Sequence, residues 1–410
     1  MDALENLKDF NNNCVFIHDD VESSSGVDWD QHGTNPFLLG VDTCVVDDLR
    51  GFGENYVRFL KSIKVYPNNI IVAKHGTSPL SSRIIQDEKC FGLVSDVCCR
   101  KGGISVFYSD YSKGELSNKI SMRCEKAIGL YPSQGAFKRL NDKIYIHKIL
   151  KNAGIPTPFG IVCDTVDQLY NFFREVKSEY KEILIKKHHW DTRRVTSEQD
   201  INEIAPNLVY PLIAEVAYPI KFSPVSHNLI WKGHKQHLFL VMQNVIDWLH
   251  NGNYIPTGLP DNVTDKIISI SLNVLNAISD FEGVIGIDFV VTPANEIYAV
   301  DVNPRFNSST YPFFYLTRLG LDLSKIHAKY SFVQCDLPSL SSLLLESEFT
   351  PFSIDTLEGI IAYSPAFNPK TERVEKISYL CISKDKDLLQ YYERKLKALL
   401  NSFSMKGVRR

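Results

Sequence analysis

The stretch from Glu282 to Pro312, EGVIGIDFVVTPANEIYAVDVNPRFNSSTYP, constrains this chain more than any other. Two runs rich in β-branched and aromatic residues, Val284 to Val291 and Glu296 to Val302, flank a Thr-Pro-Ala-Asn turn, which predicts an antiparallel hairpin. Strand side chains alternate between faces, so Asp288 shares a face with Gly286 and Val290 and projects a carboxylate from an otherwise apolar strand. On the second strand Asp301, Asn303 and Arg305 stand at every other position and point to one side. Two carboxylates and an amide oxygen gathered across a hairpin form a hard-oxygen site suited to Mg2+, which usually keeps waters and substrate phosphates as its other ligands. Arg305 would offer a fixed cation to a phosphoryl or carboxylate oxygen. Taken singly, each of these residues is better explained as a local ion pair or a turn cap. Four of them in one register are not.

The hairpin resembles the metal-binding end of the ATP-grasp superfamily, whose pattern is an acidic residue on one strand and an acidic-x-Asn-x-Arg run on the next. Here the upstream acid is Asp288 and the run is Asp301-Val302-Asn303-Pro304-Arg305. The family more often has Glu where this chain has Asp301, one methylene shorter. The resemblance implies that Asp288, Asp301 and Asn303 are ligands of Mg2+ (or Mn2+) and that Arg305 contacts the reacting phosphate.

A chain of 410 residues exceeds one ordinary core and predicts about two to four units. An apolar share of 44% with 23% charged residues marks it as globular. The net charge of -3, with no long basic block, gives no electrostatic case for a nucleic acid or an anionic membrane. The polar start MDALENLKDFNNN does not read as a signal peptide, and no apolar run reaches the ~20 residues of a membrane span. The nine cysteines, with no C-x-x-C, read as reduced, small buried residues of a cytoplasmic protein.

In residues 1–130, apolar strands at Cys14 to Ile17, Thr43 to Val46, Ile70 to Val72 and Ile104 to Phe107 alternate with helical patterns such as Glu54 to Lys64. The alternation predicts a small parallel sheet with helices on its faces. Gly51-Phe52-Gly53-Glu54 lacks the third glycine of a dinucleotide fingerprint and reads as a turn into a helix. His32 to Asn35 reads as a polar surface loop. In KRLNDKIYIHKILKNAGIPTPFG, Ile144, Ile146, Ile149 and Leu150 predict a helix capped by Asn141 or Asp142 and ended by Gly154. This run also resembles ATP-grasp proteins, and the resemblance makes Lys143 a phosphate ligand; as a bare residue it would read as solvated.

Lys186 ends the apolar strand EILIKK, where its charge must meet water or an anion. In the family this strand carries the lysine that binds the α- and β-phosphates; Lys186 matches it, with Lys187 an alternative. The family's glycine-rich loop is replaced by His188-His189-Trp190-Asp191-Thr192-Arg193-Arg194. Either Arg193 or Arg194 grips the phosphates in place of backbone N–H groups, or the loop is simply a solvated basic one. In VYPLIAEVAY the resemblance places the adenine at Glu215, Val216, Ala217 and Tyr218.

Among the histidines, His234 and His237 are poor co-ligands on one strand, and zinc is not expected. Gln243 is expected to open a helix, and residues 313–350 are expected to be helical. Strands over Gly359 to Cys381 and a helix from Lys384 to Leu400 with an apolar stripe close the chain.

The order Lys143, Lys186, Glu215, then Asp288, Asp301, Asn303 and Arg305 implies an α/β (α+β) ATP-grasp fold: two α+β lobes clasping ATP, preceded by an N-terminal pre-ATP-grasp α/β domain. The expected divisions are 1–130, a central lobe 131–218, a C-terminal lobe 219–345 and a closing subdomain 346–410. The chemistry implied is carboxylate activation by ATP and Mg2+, with Arg305 and Lys186 as catalytic cations, joining a small-molecule carboxylate to an amine. The tail NPRFNSSTYP and the GIPTPFG run look most similar to ligases of amino acids or peptides. A carboxylase-type or thiol-directed ligase and a catalytically degraded nucleotide-binding regulator are the alternatives. Dimers are common among similar proteins, so a homodimer is within expectation.

Overall fold

Five short apolar strands build the N-terminal sheet: β1 (Val15–Ile17), β2 (Thr43–Val46), β3 (Asn69–Val72), β4 (Gly103–Val106) and β5 (Gly129–Tyr131). They lie in the order β3-β2-β1-β4-β5, every neighbouring pair parallel. Val15, Ile17, Val45 and Ile104 pack against Val94, Cys98 and Ile120 of the covering helices, as parallel strands buried on their faces require. The computed structural model describes residues 3–18, 34–74, 76, 78–106, 111–125, 127–186, 192–246 and 249–408. Phe107, at the predicted end of β4, and His32 and Gly33 lie outside the described residues. Thr34 and Asn35 are buried rather than on a surface loop.

Not all nine cysteines are thiols. Cys99 and Cys124 form a disulfide, with Cα atoms 5.5 Å apart, and the other seven are buried thiols. Cys99 belongs to the helix Glu88–Lys101 and Cys124 follows the helix Tyr111–Arg123. Their meeting is a consequence of helix packing, which a separation of 25 residues does not reveal.

The chain divides into two compact units, one of residues 1–134, 241–258 and 305–410, the other of residues 135–240 and 259–304. In the second, β6 (Gly160–Cys163), β7 (Ile183–Lys186), β8 (Thr192–Val195) and β9 (Leu212–Val216) form an antiparallel sheet ordered β6-β9-β7-β8. The helix Val166–Val176, capped by the Thr165 side chain, packs Leu169, Phe172 and Phe173 on it. β10 (Pro224–Trp231), β11 (His234–Ile246) and, after β12 (Leu249–Ile255), β13 (Gly283–Val291) and β14 (Ile297–Asn303) follow. β14, β13 and β10 are antiparallel neighbours. One face of them buries Ile285, Ile287, Phe289 and Val302 against the helices Lys143–Asn152 and Asp261–Ala277.

In the first unit the sheet β12-β15-β17-β16 is antiparallel, with β15 (His327–Leu337), β16 (Gly359–Asn368) and β17 (Arg373–Ser383). Of the helix expected over 313–350, α-helix covers only Thr310–Arg318; an eleven-residue strand, β15, follows it, and then a short 3-10 helix, Leu340–Leu345. Gln243 opens no helix; it lies on β11 opposite Asn253, because β11 runs on through the polar residues. The closing helix Lys386–Val408 buries Leu389, Tyr392, Leu396 and Leu399 of the predicted stripe against its own unit, and leaves Leu388, its first member, half-buried. No helix among the described residues is long and apolar enough to cross a membrane.

Glu393 ties that helix to the sheet. Its carboxylate takes Lys329 of β15 and Lys397, each at 2.7 Å, and the Tyr379 hydroxyl at 2.9 Å. Burial pushes the Glu393 carboxyl up, but the two ammonium groups more than offset it and hold it below the usual carboxylate range. A carboxyl depressed in this way stabilises the fold above its unfolded value and loses that contribution as pH falls. Glu393→Gln is therefore expected to cost about 1.5–3 kcal/mol near neutrality. Thermal unfolding at pH 7, 5 and 3 should show the deficit shrinking as pH drops through about 4; a deficit undiminished at pH 3 would contradict the assignment.

Candidate active site

The hairpin β13–β14 is turned by Thr292 to Glu296, with Asn295 at φ 61° and the Asn295 N–H donating to the Thr292 carbonyl at 2.8 Å. Ladder partners run Phe289 with Ala299, then Asp288 with Asp301, so Val300 is an extra residue, a bulge. Its effect is decisive. Below the bulge the core-facing residues of β14 are Ile297 and Ala299; above it Val302 takes the core, opposite Ile287. Strict alternation from Ile297 would have aimed Asp301 and Asn303 into the core. The bulge turns both onto the face of Asp288, where the Asn303 amide donates to the Asp288 carboxylate at 3.2 Å.

The bulge also supplies an acceptor. The Val300 carbonyl takes the Lys186 ammonium at 2.8 Å. Lys186 stands at the end of β7 beside β9, paired with Ile213, and also makes an ion pair with Glu215. Lys143, at the start of its helix, makes an ion pair with Asp301. That helix begins here because the Asp142 side chain accepts from the N–H groups of Ile144 and Tyr145 at 2.9 and 3.2 Å. Two cations and two carboxylates from four elements thus surround a cavity of about 20 Å3, roughly one water molecule, lined also by His147, Thr157 and Ile213.

The two carboxyls respond differently to this setting. Glu215 is 4% exposed, and burial pushes its carboxyl above the usual range although Lys186 pulls the other way. Burial acts on Asp301 as well, but Lys143 and Lys186 outweigh it and its carboxyl lies below the usual range. His147 is held neutral by burial and by the charges of Lys151 and Lys186. The sequence reading passed over His147; four residues after Lys143 on one helix, it shares that lysine's face.

Asp288 and Asp301 face each other across the ladder with Asn303 one rung on. Among the described residues no group of three or more His, Cys, Asp or Glu is placed to hold a metal. Two carboxylates and an amide oxygen fit one hard cation whose remaining positions go to water and phosphate. His227 lies on the same face: its ladder partner is Gly286, which pairs in turn with Asn303. It is fully buried against Phe239, and burial lowers its pKa to about 3, so it is a neutral group beside the donor set.

At the hinge, Val216 donates its N–H to the Phe159 carbonyl at 2.8 Å and Ala217 to that of Glu182 at 3.1 Å. Both donors are used inside the protein, so an adenine edge would draw its donor from Tyr218, the next residue. The Tyr218 ring stacks on Tyr298 of β14, centroids 4.5 Å apart and nearly parallel, which ties the hinge to the hairpin.

Arg193 and Arg194 are exposed on the strand β8, not in a loop, because Thr192 to Val195 completes the edge of the sheet against β7. Arg194 forms an ion pair with Glu182, four residues before Lys186. Lys187 and His188 to Asp191 lie outside the described residues. Arg305 belongs to the other compact unit, where it is buried and donates to Asn307 at 2.8 Å.

Gly160 keeps Glu215 in place. It pairs with Glu215 across β6 and β9, and a Cβ there would lie 2.6 Å from the Ala214 carbonyl oxygen and 2.8 Å from the Glu215 Cβ. Gly160→Ala is expected to push the two strands apart, costing about 1–3 kcal/mol, and to weaken ATP binding. Chemical denaturation and ATP titration calorimetry check both, and a variant equal to the parent in both would show that β6 yields freely.

Residues 140–309 match the family model described as ATP-grasp domain. No curated protein matches the chain. Several solved structures are similar over most of its length. N5-carboxyaminoimidazole synthase from Aspergillus clavatus, in complex with ADP and 5-aminoimidazole ribonucleotide, is 12% identical, with 94% of this chain and 99% of that one covered and a TM-score of 0.60. N5-carboxyaminoimidazole synthetase from Staphylococcus aureus is 15% identical, covering 93% and 97%, with a TM-score of 0.56. Biotin carboxylase from Campylobacter jejuni is 12% identical, covering 91% and 88%, with a TM-score of 0.59. At these identities the structures speak for the fold, and the stretch that matches the ATP-grasp domain model is the one that carries the hairpin and both lysines.

Proposed function

We propose that the protein uses ATP to activate a carboxylate and joins it to an amine, releasing ADP and phosphate. The observation that carries this reading is the cluster of Lys143, Lys186, Glu215 and Asp301 beside the Asp288–Asn303 pair, within one unit. Such a site has cations for an anion, hard oxygens for a divalent metal and no nucleophilic side chain, which is what phosphoryl transfer by positioning and charge stabilisation asks for.

In this reading Lys186 and Lys143 hold phosphate oxygens, and Glu215 with the backbone of Val216 to Tyr218 holds the adenine. Asp288, Asp301 and Asn303 hold Mg2+, which when bound neutralises charge on the transferring phosphoryl group. A carboxylate oxygen attacks the γ-phosphorus, the bond to ADP breaks, and an acyl phosphate results. The amine nitrogen then attacks the acyl carbon, phosphate leaves, and the amine proton passes to solvent. Arg305 remains assigned to the reacting phosphate by the family pattern alone.

Amino acids or peptides are the first substrates to try, because of the NPRFNSSTYP and GIPTPFG runs. A carboxylase-type reaction, with bicarbonate as the carboxylate, is the second reading, favoured by similarity to N5-carboxyaminoimidazole synthases and biotin carboxylase. Phosphate release across a panel of amino acids, peptides and bicarbonate, each with and without amines, separates the two, with mass spectrometry of the products. The expected outcome is release that needs both a carboxylate and an amine. Lys186→Met should reduce it by about 100-fold or more, as loss of a phosphate-stabilising donor does. ATP bound without turnover on every pair would instead mark a nucleotide-binding regulator.

A further inference from the structure

We propose that the lysine–carboxylate pairs make divalent metal and nucleotide bind as one unit: the Lys143 ammonium occupies Asp301 until a metal replaces it, and only then is it released to a phosphate. The proposal rests on the nucleotide reading above and adds to it an order of exchange among this chain's own residues.

The argument is one of charge partners. Lys143 and Asp301 are in contact, their side chains 17% and 29% exposed, and Lys186 with Glu215 is more buried still. Two ammonium groups and two carboxylates already pair around a cavity of about 20 Å3, so a phosphate or metal that takes one of them must displace a contact that already exists. A nucleotide arriving alone would draw Lys143 away and leave the Asp301 carboxylate facing phosphate oxygens of like charge. A metal arriving alone would take Asp301 and leave a largely buried ammonium next to a divalent cation. When both arrive, Asp301 goes to the metal, Lys143 to the phosphate, and every charge keeps a partner.

Each ligand must therefore tighten the other by one and the same factor. This differs from a metal simply carried in on the nucleotide, because it assigns the barrier to metal alone to a particular ammonium group. Lys186 serves as the internal control: it too is a cation of this cluster, but its ion-pair partner is Glu215 and its hydrogen bond goes to Val300.

The test measures Mn2+ binding to the full chain by electron paramagnetic resonance of the free ion, with and without a non-hydrolysable ATP analogue. Calorimetry of the analogue, in chelator and in Mg2+, gives the reciprocal factor. The parent should bind Mn2+ weakly alone and about tenfold more tightly with the analogue, within the range usual for coupled sites. Lys143→Met should bind Mn2+ alone about fivefold or more tightly than the parent, with the coupling reduced by the same factor. Lys143→Gln, which retains a donor for Asp301, should show the same direction and guards against a folding defect in the first variant. Lys186→Met, which removes a charge near Asp301 but not its ion-pair partner, should raise metal affinity by less than either Lys143 variant. Unchanged Mn2+ affinity in both Lys143 variants, or an equal gain in Lys186→Met, overturns the proposal while leaving ATP binding intact. Absence of analogue binding even with metal would instead overturn the nucleotide reading, and the proposal with it.

Discussion

A single extra residue in a β-ladder carries the site. Side chains on a strand alternate, so the chain that places Ile297 and Ala299 in the core would place Asp301 there too. An unpaired carboxylate in that position would be costly. The bulge at Val300 shifts the register by one, returns Val302 to the core and delivers Asp301 and Asn303 to the face of Asp288. The same irregularity leaves the Val300 carbonyl available to Lys186. Donor set and lysine anchor are two results of one insertion, which is why bulges behave as features of a fold rather than as defects.

Charge clustering in this protein serves two ends. Glu393 with Lys329 and Lys397 fixes a helix to its sheet, a role that apolar residues of similar volume could fill. The Lys143, Lys186, Glu215, Asp301 group is poorly explained in that way. Its members come from a helix start, two strand ends and a bulged strand, and they enclose a cavity instead of closing a seam. Burial drives the Glu215 carboxyl up against the pull of Lys186, while at Asp301 Lys143 and Lys186 outweigh burial and its carboxyl stays low. Neighbouring acids held apart in this manner are a mark of a site that exchanges partners.

Much of this was legible in the chain because local rules and global fold agree. The two runs around Thr-Pro-Ala-Asn form the predicted hairpin, Asp142 caps the helix that starts with Lys143, and most of the stripe on the last helix is buried. The failures have physical causes. Strand β15 was read as helix because a strand in a sheet owes its conformation to partners far along the chain. Gln243 was assigned to a helix start from local polarity, whereas β11 continues past it. The family pattern puts Arg193 and Arg194 in a loop, yet they lie on an edge strand, which tolerates exposed cations well. Cys99 and Cys124 meet only through helix packing. The bulge left no trace in composition, although the break in apolar alternation between Ala299 and Val302 could have revealed it.

What the site does not contain also directs the search for substrates. On the proposed reading, everything assembled on the hairpin, the helix start and β7 to β9 serves phosphate, metal and adenine, groups common to any reaction that spends ATP in this fold. Similarity at 12–15% identity to carboxylases covers that shared machinery and the architecture around it, and a shared fold does not carry a substrate with it. The N-terminal sheet has its own switch point, where β1 lies between β2 and β4 and the chain leaves β1 at His18, the position at which open parallel sheets place ligands. His18 is buried there with its Nδ1 2.8 Å from the Tyr311 hydroxyl. On the proposed reading, discrimination between an amino acid and bicarbonate has to come from residues outside the charged cluster, since groups that hold phosphate and metal cannot tell the two apart.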